Sequence, residues 1–246
     1  MKRCLLLLLT ALLMLLPSVA FAQSVTVDLG SAGDGSAATR IVQLTALIAL
    51  LSLAPSLLVM VTAFARIVIV LSLLRAALGT QGTPPNTVLI GLALFLTFFV
   101  MQPAFEQAWT LGILPMTEGR VSEIEGMRLA AEPFRGFMVA NLRAEDLSLF
   151  LDIADLPPPE SPALTPWRAL VPAFLVGELR RAFEIGFLLF VPFLVIDLVV
   201  ASVLMSMGMM MLPPTVVSLP FKLIFFVLVD GWRLVSGSLA QSFVGG

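Results

Sequence analysis

The chain has 246 residues, of which 59% are hydrophobic and only 12% charged. Because soluble domains carry about 25% charged residues, we expect the surface of this chain to face lipid, partner subunits or both. The sequence has no histidine, and its one cysteine, Cys4, lies in a segment that we expect to be removed, which excludes disulfides, Cys/His metal sites, Ser-His relays and cysteine nucleophiles from the mature chain. The formal charge of −2 comes with no basic patch, so nucleic acid is not an expected partner, and neither a cofactor nor a metal is expected.

Residues 1–22 have the pattern of a cleaved secretory signal peptide. Lys2 and Arg3 supply the positive start, and residues 5–16 form an apolar stretch that is too short to cross a bilayer. The sequence Ala-Phe-Ala that ends at Ala22 is a small-x-small cleavage site. An uncleaved anchor helix is the alternative interpretation, but the cleavage site favours removal.

Cleavage after Ala22 leaves Gln23 at the start of the mature protein, outside the cytoplasm. The mature chain then carries a net charge of −4, with 12 basic and 16 acidic residues. Residues 23–40 are rich in Gly, Ser, Asp and Thr, and this composition predicts a flexible mature N-terminus.

Residues 41–105 are predicted to form a first helical hairpin. Residues 41–74 and 87–104 are apolar stretches that are long enough to cross a membrane as helices, although Arg66 interrupts the first. Because the mature N-terminus lies outside, the turn of this hairpin faces the cytoplasm. Arg75 beside the turn agrees with the positive-inside tendency.

Residues 106–168 form an acidic segment, which this topology places in the periplasm. Apolar residues recur there at near-helical spacing over residues 127–142 and 147–151, so we expect two short amphipathic helices. Three prolines at 157–159 end the second one. Paired carboxylates could in principle serve a glycosidase or a protease, but no motif accompanies them, and we expect no enzyme.

Residues 169–246 are predicted to form a second helical hairpin with a methionine-rich loop. Its apolar arms are residues 183–211, which are interrupted by Pro192 and Asp197, and residues 216–229, which carry Pro220 and Lys222. Arg180 and Arg181 precede the first arm on the periplasmic side, against the positive-inside tendency. These features favour helices that are buried against protein. The expected fold is therefore all-α: an integral membrane-type protein of long kinked helices in two hairpins, with a small helical periplasmic segment between them.

Asp197 and Lys222 are isolated charges, one on each arm of the second hairpin. They lie at similar distances from its turn, so they are predicted to meet as a buried charge pair. A lone charge at such depth costs about 2.5–3.5 kcal/mol on insertion scales. A structural ion pair is the favoured interpretation, a proton route is the alternative, and Asp230 is a second candidate partner for Lys222.

Four charged residues lie within two helical turns around the start of the first arm: Glu178, Arg180, Arg181 and Glu184. They are i,i+3 and i,i+4 neighbours. They form either a solvated, self-paired helix face or an inter-subunit polar contact, and the sequence does not separate the two.

The turn of the second hairpin is rich in methionine. The run there comprises Met205, Met207, Met209, Met210 and Met211. Methionine is unbranched and conformationally soft, so such a loop could seal a pore and still deform around a passing chain. Ordinary core or lipid-facing packing is the commoner role of a methionine cluster and stays open.

Several stretches of the chain match motifs of one known family. They are residues 64–75, 79–81, 84–86, 133–138, 143–147, 172–186, 197–202 and 207–214. On these motifs the chain closely resembles the FliP family of type III secretion export-gate proteins, which has flagellar and injectisome branches. The signal peptide and the acidic segment favour the flagellar branch.

The resemblance implies a core subunit of the flagellar export gate. Several copies would assemble with the Q and R components, beside the B-type switch component, into a closed helical ring that conducts unfolded flagellar axial proteins. It implies that Met207, Met209, Met210 and Met211 act as a compliant pore gasket. It also implies residence in the bacterial inner membrane, facing the periplasm, within the flagellar basal body.

A proton- or ion-coupled transporter that uses Asp197 and Lys222 is the alternative from another class. Transporters usually contain internal repeats with a site at the midplane of the membrane. The two hairpins show no self-similarity, and a long acidic segment separates them, so the sequence favours the export gate.

Overall fold

The computed structural model describes residues 36–209 and 211–244. The helices are α1 (Ser36–Val61), α2 (Phe64–Leu78), α3 (Asn86–Ala108), α4 (Leu114–Thr117), α5 (Glu123–Ala140), α6 (Ala144–Ile153), α7 (Trp167–Ser206), α8 (Pro214–Leu228) and α9 (Gly231–Val244). A π-helix (Trp109–Ile113) joins α3 to α4, and a short 3₁₀-helix (Pro162–Leu164) precedes α7. No strand occurs within these ranges, and the prediction of an all-α fold is confirmed.

Part of the predicted N-terminal organisation lies outside the described residues. This holds for the signal peptide with its cleavage site at Ala22 and Gln23, and for residues 23–35. Residues 36–40, which were predicted to be flexible, instead begin helix α1. The residues after Ser52 form one compact unit, which contains the core and every site considered below.

The first apolar stretch is not one continuous helix, contrary to the prediction for residues 41–74. α1 ends at Val61 and α2 begins at Phe64. The Thr62 hydroxyl donates to the carbonyl of Leu58 (2.6 Å) and accepts from the amide of Phe64 (3.4 Å). Threonine side chains can offer the backbone such alternatives to helical hydrogen bonds, which often bend or end a helix.

The turn between α2 and α3 is held at both ends. Gly79 terminates α2 with φ +74°, a left-handed conformation that glycine adopts without steric cost. The Arg75 guanidinium donates to the carbonyl of Pro84 (3.2 Å) and to Oδ1 of Asn86, the first residue of α3 (2.6 Å). The first hairpin is therefore closed by a basic side chain.

Two helical segments in the described part are long and apolar enough to cross a membrane. One is Asn86–Thr117, which comprises α3, the π-helix and α4, and the other is the 40-residue α7. The bent pair α8 and α9 would make a third if it crosses as one broken span. Pro192 lies inside α7 without ending it, so the first arm of the second hairpin is continuous. The protein is an all-α membrane protein.

The core forms where α2 packs along α7, with α3 beside them. Ile67, Val70, Leu71 and Leu74 of α2 are buried there, and each such side chain contributes about 1.5–3 kcal/mol when it is fully removed from water. Gly186 of α7 permits this close approach of the two helices, because an added Cβ there would lie 2.2 Å from the side chain of Leu73 on α2.

Residues 106–117 of the predicted acidic segment instead continue the helical span that begins at Asn86. The rest of the segment contains α5, with 18 residues, and α6, with 10 residues. Ser122 caps α5, because its hydroxyl accepts from the amide of Glu125 (3.3 Å). The π-helix packs directly on α5 through Gly112, where an added Cβ would lie 2.5 Å from the Ala130 amide nitrogen and 2.6 Å from the Gly126 carbonyl oxygen. Small residues therefore allow the end of the helical span Asn86–Thr117 to pack closely on α5.

Candidate functional site: the methionine loop and the buried charges

The methionine loop, residues 207–213, joins α7 to α8. It begins with a Schellman cap, in which Gly208 has φ +73° and the amide of Met209 donates to the Leu204 carbonyl (3.0 Å). It ends at Pro213 and Pro214, where proline is well suited to start a helix. The sequence thus specifies a defined tip with seven loop residues.

The methionine side chains differ in how far they reach from this tip. Met211 is 98% exposed and Met207 is 64% exposed, while Met209 is half-buried. Met210 lies outside the described residues. Met207 and Met211 therefore present thioether chains outward, where they are free to contact another molecule.

The arms next to the loop are also exposed and apolar. Val203, Met205 and Val216 lie more than half exposed. Between the arms is an apolar groove of about 460 Å³, lined by Val199, Val203, Val217, Phe221 and their neighbours. Exposed apolar surface of this kind marks contact with protein or lipid.

Asp197 and Lys222 meet across the second hairpin. Lys222 Nζ lies 2.7 Å from Asp197 Oδ2, and the side chain of Lys222 is only 7% exposed against 25% for Asp197. Asp230, the second candidate partner, instead pairs with Arg233 (3.8 Å). The two charges lie at similar distances along the arms from the turn of the hairpin, and for this reason the fold places them in contact.

The pair belongs to a larger polar network that the sequence did not reveal. The Ser218 hydroxyl donates to Asp197 Oδ1 (2.5 Å), and Lys222 Nζ donates to the carbonyl of Ala77 (3.0 Å). Ala77 lies in the last turn of α2, where carbonyls lack intrahelical donors and a cation is favourable. The network therefore ties both arms of the second hairpin to the end of α2.

Glu178 does not lie on an exposed face, and its assignment as an inter-subunit contact is wrong. It is fully buried and forms a bidentate ion pair with Arg66 of α2: Arg66 Nε donates to Oε2 (2.8 Å) and Nη2 donates to Oε1. A buried carboxylate requires such a partner, because an unpaired one is costly. The only sequence signal for this pair was the isolated position of Arg66 in an apolar stretch.

The other three charges of this group remain accessible. Arg180 Nε lies 3.0 Å from Glu184 Oε1, and both side chains are more than half exposed. Arg143, at the start of α6, approaches Glu184 at 3.9 Å, and Arg181 approaches Glu178 at 3.9 Å. The Arg143–Glu184 contact joins the start of α6 to α7. The other two lie within α7 and leave a charged, accessible surface.

Comparison with known proteins identifies the family of this membrane protein. The FliP family model matches residues 47–239. The chain is 56% identical over 234 residues to the flagellar biosynthetic protein FliP of Caulobacter vibrioides, covering 94% of this chain and 87% of that protein. It is 50% identical over 238 residues to FliP of Rhizobium meliloti (94% and 96% covered) and 50% identical over 217 residues to FliP of Bacillus subtilis (88% and 98% covered). The chain belongs to the FliP family, and these relatives indicate a flagellar biosynthetic export protein.

Proposed function

We propose that this chain is a core subunit of the flagellar type III secretion export gate. Several copies would join the Q and R components, in contact with the B-type switch component, and form a pore for unfolded flagellar axial proteins. Membership of the FliP family supports the pathway. The observation that carries the pore role is the exposed methionine loop at the tip of the second hairpin.

The position of the loop suits a pore constriction. Ten residues of helix and cap separate Asp197 from Met207, which is about 15 Å at the helical rise. Because the polar network at Asp197 also binds the end of α2, the outer part of the hairpin extends from an anchored base. A ring of such hairpins would direct each loop toward a common axis.

The chemistry of the loop suits a seal that opens. A thioether chain has no ring and no branch at Cβ, so it changes rotamer at small cost when a polypeptide passes. When nothing passes, the apolar tips of several copies exclude water and ions from the axis. Met207, Met209, Met210 and Met211 would together form this gasket.

The same proposal covers topology. Residues 1–22 would be removed after export, residues 23–40 would form the mature N-terminus, and residues 106–168 would face the periplasm between the hairpins of residues 41–105 and 169–246. The complex would lie in the inner membrane within the basal body. The protein would perform no catalysis of its own.

The exposed charges on α7 and α6 would contact neighbouring subunits. Arg180, Arg181 and Glu184 would exchange their partners within the chain for partners on a second copy or on the Q and R components. The ion-transporter alternative receives less support, since Asp197 and Lys222 are already bound to each other, to Ser218 and to Ala77.

The gasket is tested by replacing Met209, Met210 and Met211 together with alanine. Because these residues lie between the end of α7 and the start of α8, the change shortens loop side chains and leaves both helices unaltered. We therefore expect normal yield of the complex, increased ion conductance of the membrane, slower growth and partly preserved export. Replacement with phenylalanine or isoleucine should keep the seal and slow export. Met127→Ala, at an exposed methionine of α5, is the matched control and should change neither quantity. A triple-alanine complex of normal yield without added ion leak would return these methionines to ordinary packing.

A further inference from the structure

The chain turns sharply after α8, and the turn is built in. α9 leaves at 62° to α8, and Asp230 at the turn has φ +51°. An added Cβ at Gly231 would lie 2.1 Å from the ring of Phe226. That ring is buried and packs edge-on against Trp232, with centroids 5.4 Å apart, so it has little room to move. The direction of α9 is therefore set by close packing at this glycine.

Beyond the turn, α9 returns over the core. Val235 and Leu239 are buried in the main hydrophobic cluster, and α9 packs against α3. The face of α9 with Arg233 and Gln241 stays exposed. A helix with one buried face and one wet face can be released as a unit, provided that its end is also released.

The end of α9 binds the buried ion pair described above. Arg66 Nη1 donates to the Ser242 carbonyl (3.2 Å) and to the Ser242 hydroxyl (3.0 Å). That hydroxyl in turn donates to the carbonyl of Leu239 (2.8 Å), which directs its lone pairs toward the arginine. The ring of Phe243 covers the guanidinium at 3.7 Å and stacks on Phe137, with centroids 5.9 Å apart.

We propose that α9 is a strap and that Ser242 and Phe243 are its clasp, closed on Arg66. Glu178 occupies Nε and Nη2 of this arginine, so Nη1 depends on Ser242, and the face of the guanidinium depends on Phe243. A buried arginine with unsatisfied donors is costly. Opening the clasp therefore leaves the Arg66 guanidinium without these partners and frees α9. Closing it holds α9 in place, and α9 then holds the C-terminal end of α8, which is the second arm of the methionine hairpin. This device does not depend on the pore proposal.

The test measures whether the strap opens without unfolding of the rest. A single cysteine is placed at Leu239 or at Ala173, both fully buried, in a Cys4→Ser background of the full-length chain purified in detergent. Maleimide labelling of each position is followed in time. Leu239→Cys reports the strap, and Ala173→Cys, on α7, reports the remaining fold.

The clasp is weakened by Ser242→Ala combined with Phe243→Leu, which removes the hydroxyl and the ring but keeps the Ser242 carbonyl. It is removed altogether by ending the chain after Gln241. A chain that ends after Phe243 is the matched control, because it keeps the clasp. Since a hydrogen bond to a charged group and a cation–π contact are lost, we expect labelling at position 239 to rise at least about tenfold in both clasp variants. Labelling at position 173 should stay unchanged, and the control should stay protected.

Three results would overturn the proposal. Continued protection at position 239 in both clasp variants would show that Ser242 and Phe243 do not hold α9. Equal labelling at positions 239 and 173 would show that these residues stabilise the fold as a whole. An equal rise in labelling at position 239 in the two shortened chains would assign the effect to the loss of residues 244–246, which both chains lack.

Discussion

Removal of Asp197 should destabilise the protein more than removal of Lys222, although the two form one ion pair. Asp197→Leu leaves the cation of Lys222 almost fully buried, and the Ala77 carbonyl is then its one remaining partner among the described residues. Lys222→Met leaves a carboxylate that is one quarter exposed and still accepts from Ser218. Water and a hydroxyl can compensate the carboxylate, but the buried cation has no comparable replacement.

The magnitudes follow from the general cost of broken buried pairs. Loss of one partner from a buried pair costs about 3–5 kcal/mol, which we expect for Asp197→Leu. A partly hydrated group that loses one charged hydrogen bond costs about 1–3 kcal/mol, which we expect for Lys222→Met. The double variant replaces the pair with apolar groups and should lie within about 2 kcal/mol of the unmodified protein, since such replacements are often tolerated.

The assay is a double-mutant cycle on the free energy of unfolding in detergent, with the yield of the assembled complex as a second measurement. The two single costs sum to about 4–8 kcal/mol. With the double variant within about 2 kcal/mol of the unmodified protein, an interaction energy of at least about 2 kcal/mol is expected. The combined change Arg180→Gln and Glu184→Gln is the control for the unfolding measurement alone, because that pair lies on the same helix but is exposed. It should change stability by at most about 1 kcal/mol.

Two results would refute this reasoning. If Lys222→Met were the more damaging single change, the exposure of the two groups would not decide the cost. If the double variant were the least stable of the three, Asp197 and Lys222 would not act as partners.

Three further predictions concern other parts of the chain. Gly112→Ala should destabilise the protein by about 1–3 kcal/mol in thermal unfolding, since its Cβ would meet the backbone of α5, whereas Gly91→Ala, with open space around it, should be neutral or slightly stabilising. N-terminal sequencing of assembled complexes should find Gln23 first, and an intact Met start would contradict the signal-peptide prediction. The hydrogen bond from Arg128 lowers the pKa of Glu125. This contact therefore stabilises the fold above the ordinary carboxyl pKa, and its contribution is lost as the pH falls through the lowered value. Arg128→Gln should raise the Glu125 pKa in an NMR titration, and an unchanged titration would show that the contact is absent in solution.

Much of the fold could be predicted because helical signals are local. Apolar stretches, proline positions and the 3.6-residue period are properties of neighbouring residues, and they predicted an all-α membrane protein with two short helices in its acidic segment. The pairing of Asp197 with Lys222 was also accessible, since both lie on arms of one hairpin and distance from its turn sets their level. The break at Thr62 was missed, because a side-chain hydrogen bond ended a helix that hydropathy alone would continue.

By itself, then, the sequence determined the class of protein, the second hairpin with its methionine tip, and the one charge pair that a single turn brings together. Only the tertiary structure decided the partner of Glu178, which periodicity had assigned to an exposed face. Arg66 lies 112 residues away, on a helix that meets α7 through packing, and no local pattern encodes which helices become neighbours. The same holds for Ser242 and Ala77, whose hydrogen bonds exist because α9 and α2 are packed beside the buried charges. A charge in an apolar stretch of sequence shows that a buried partner is needed. Which residue becomes that partner depends on the packing of helices that are distant in the sequence.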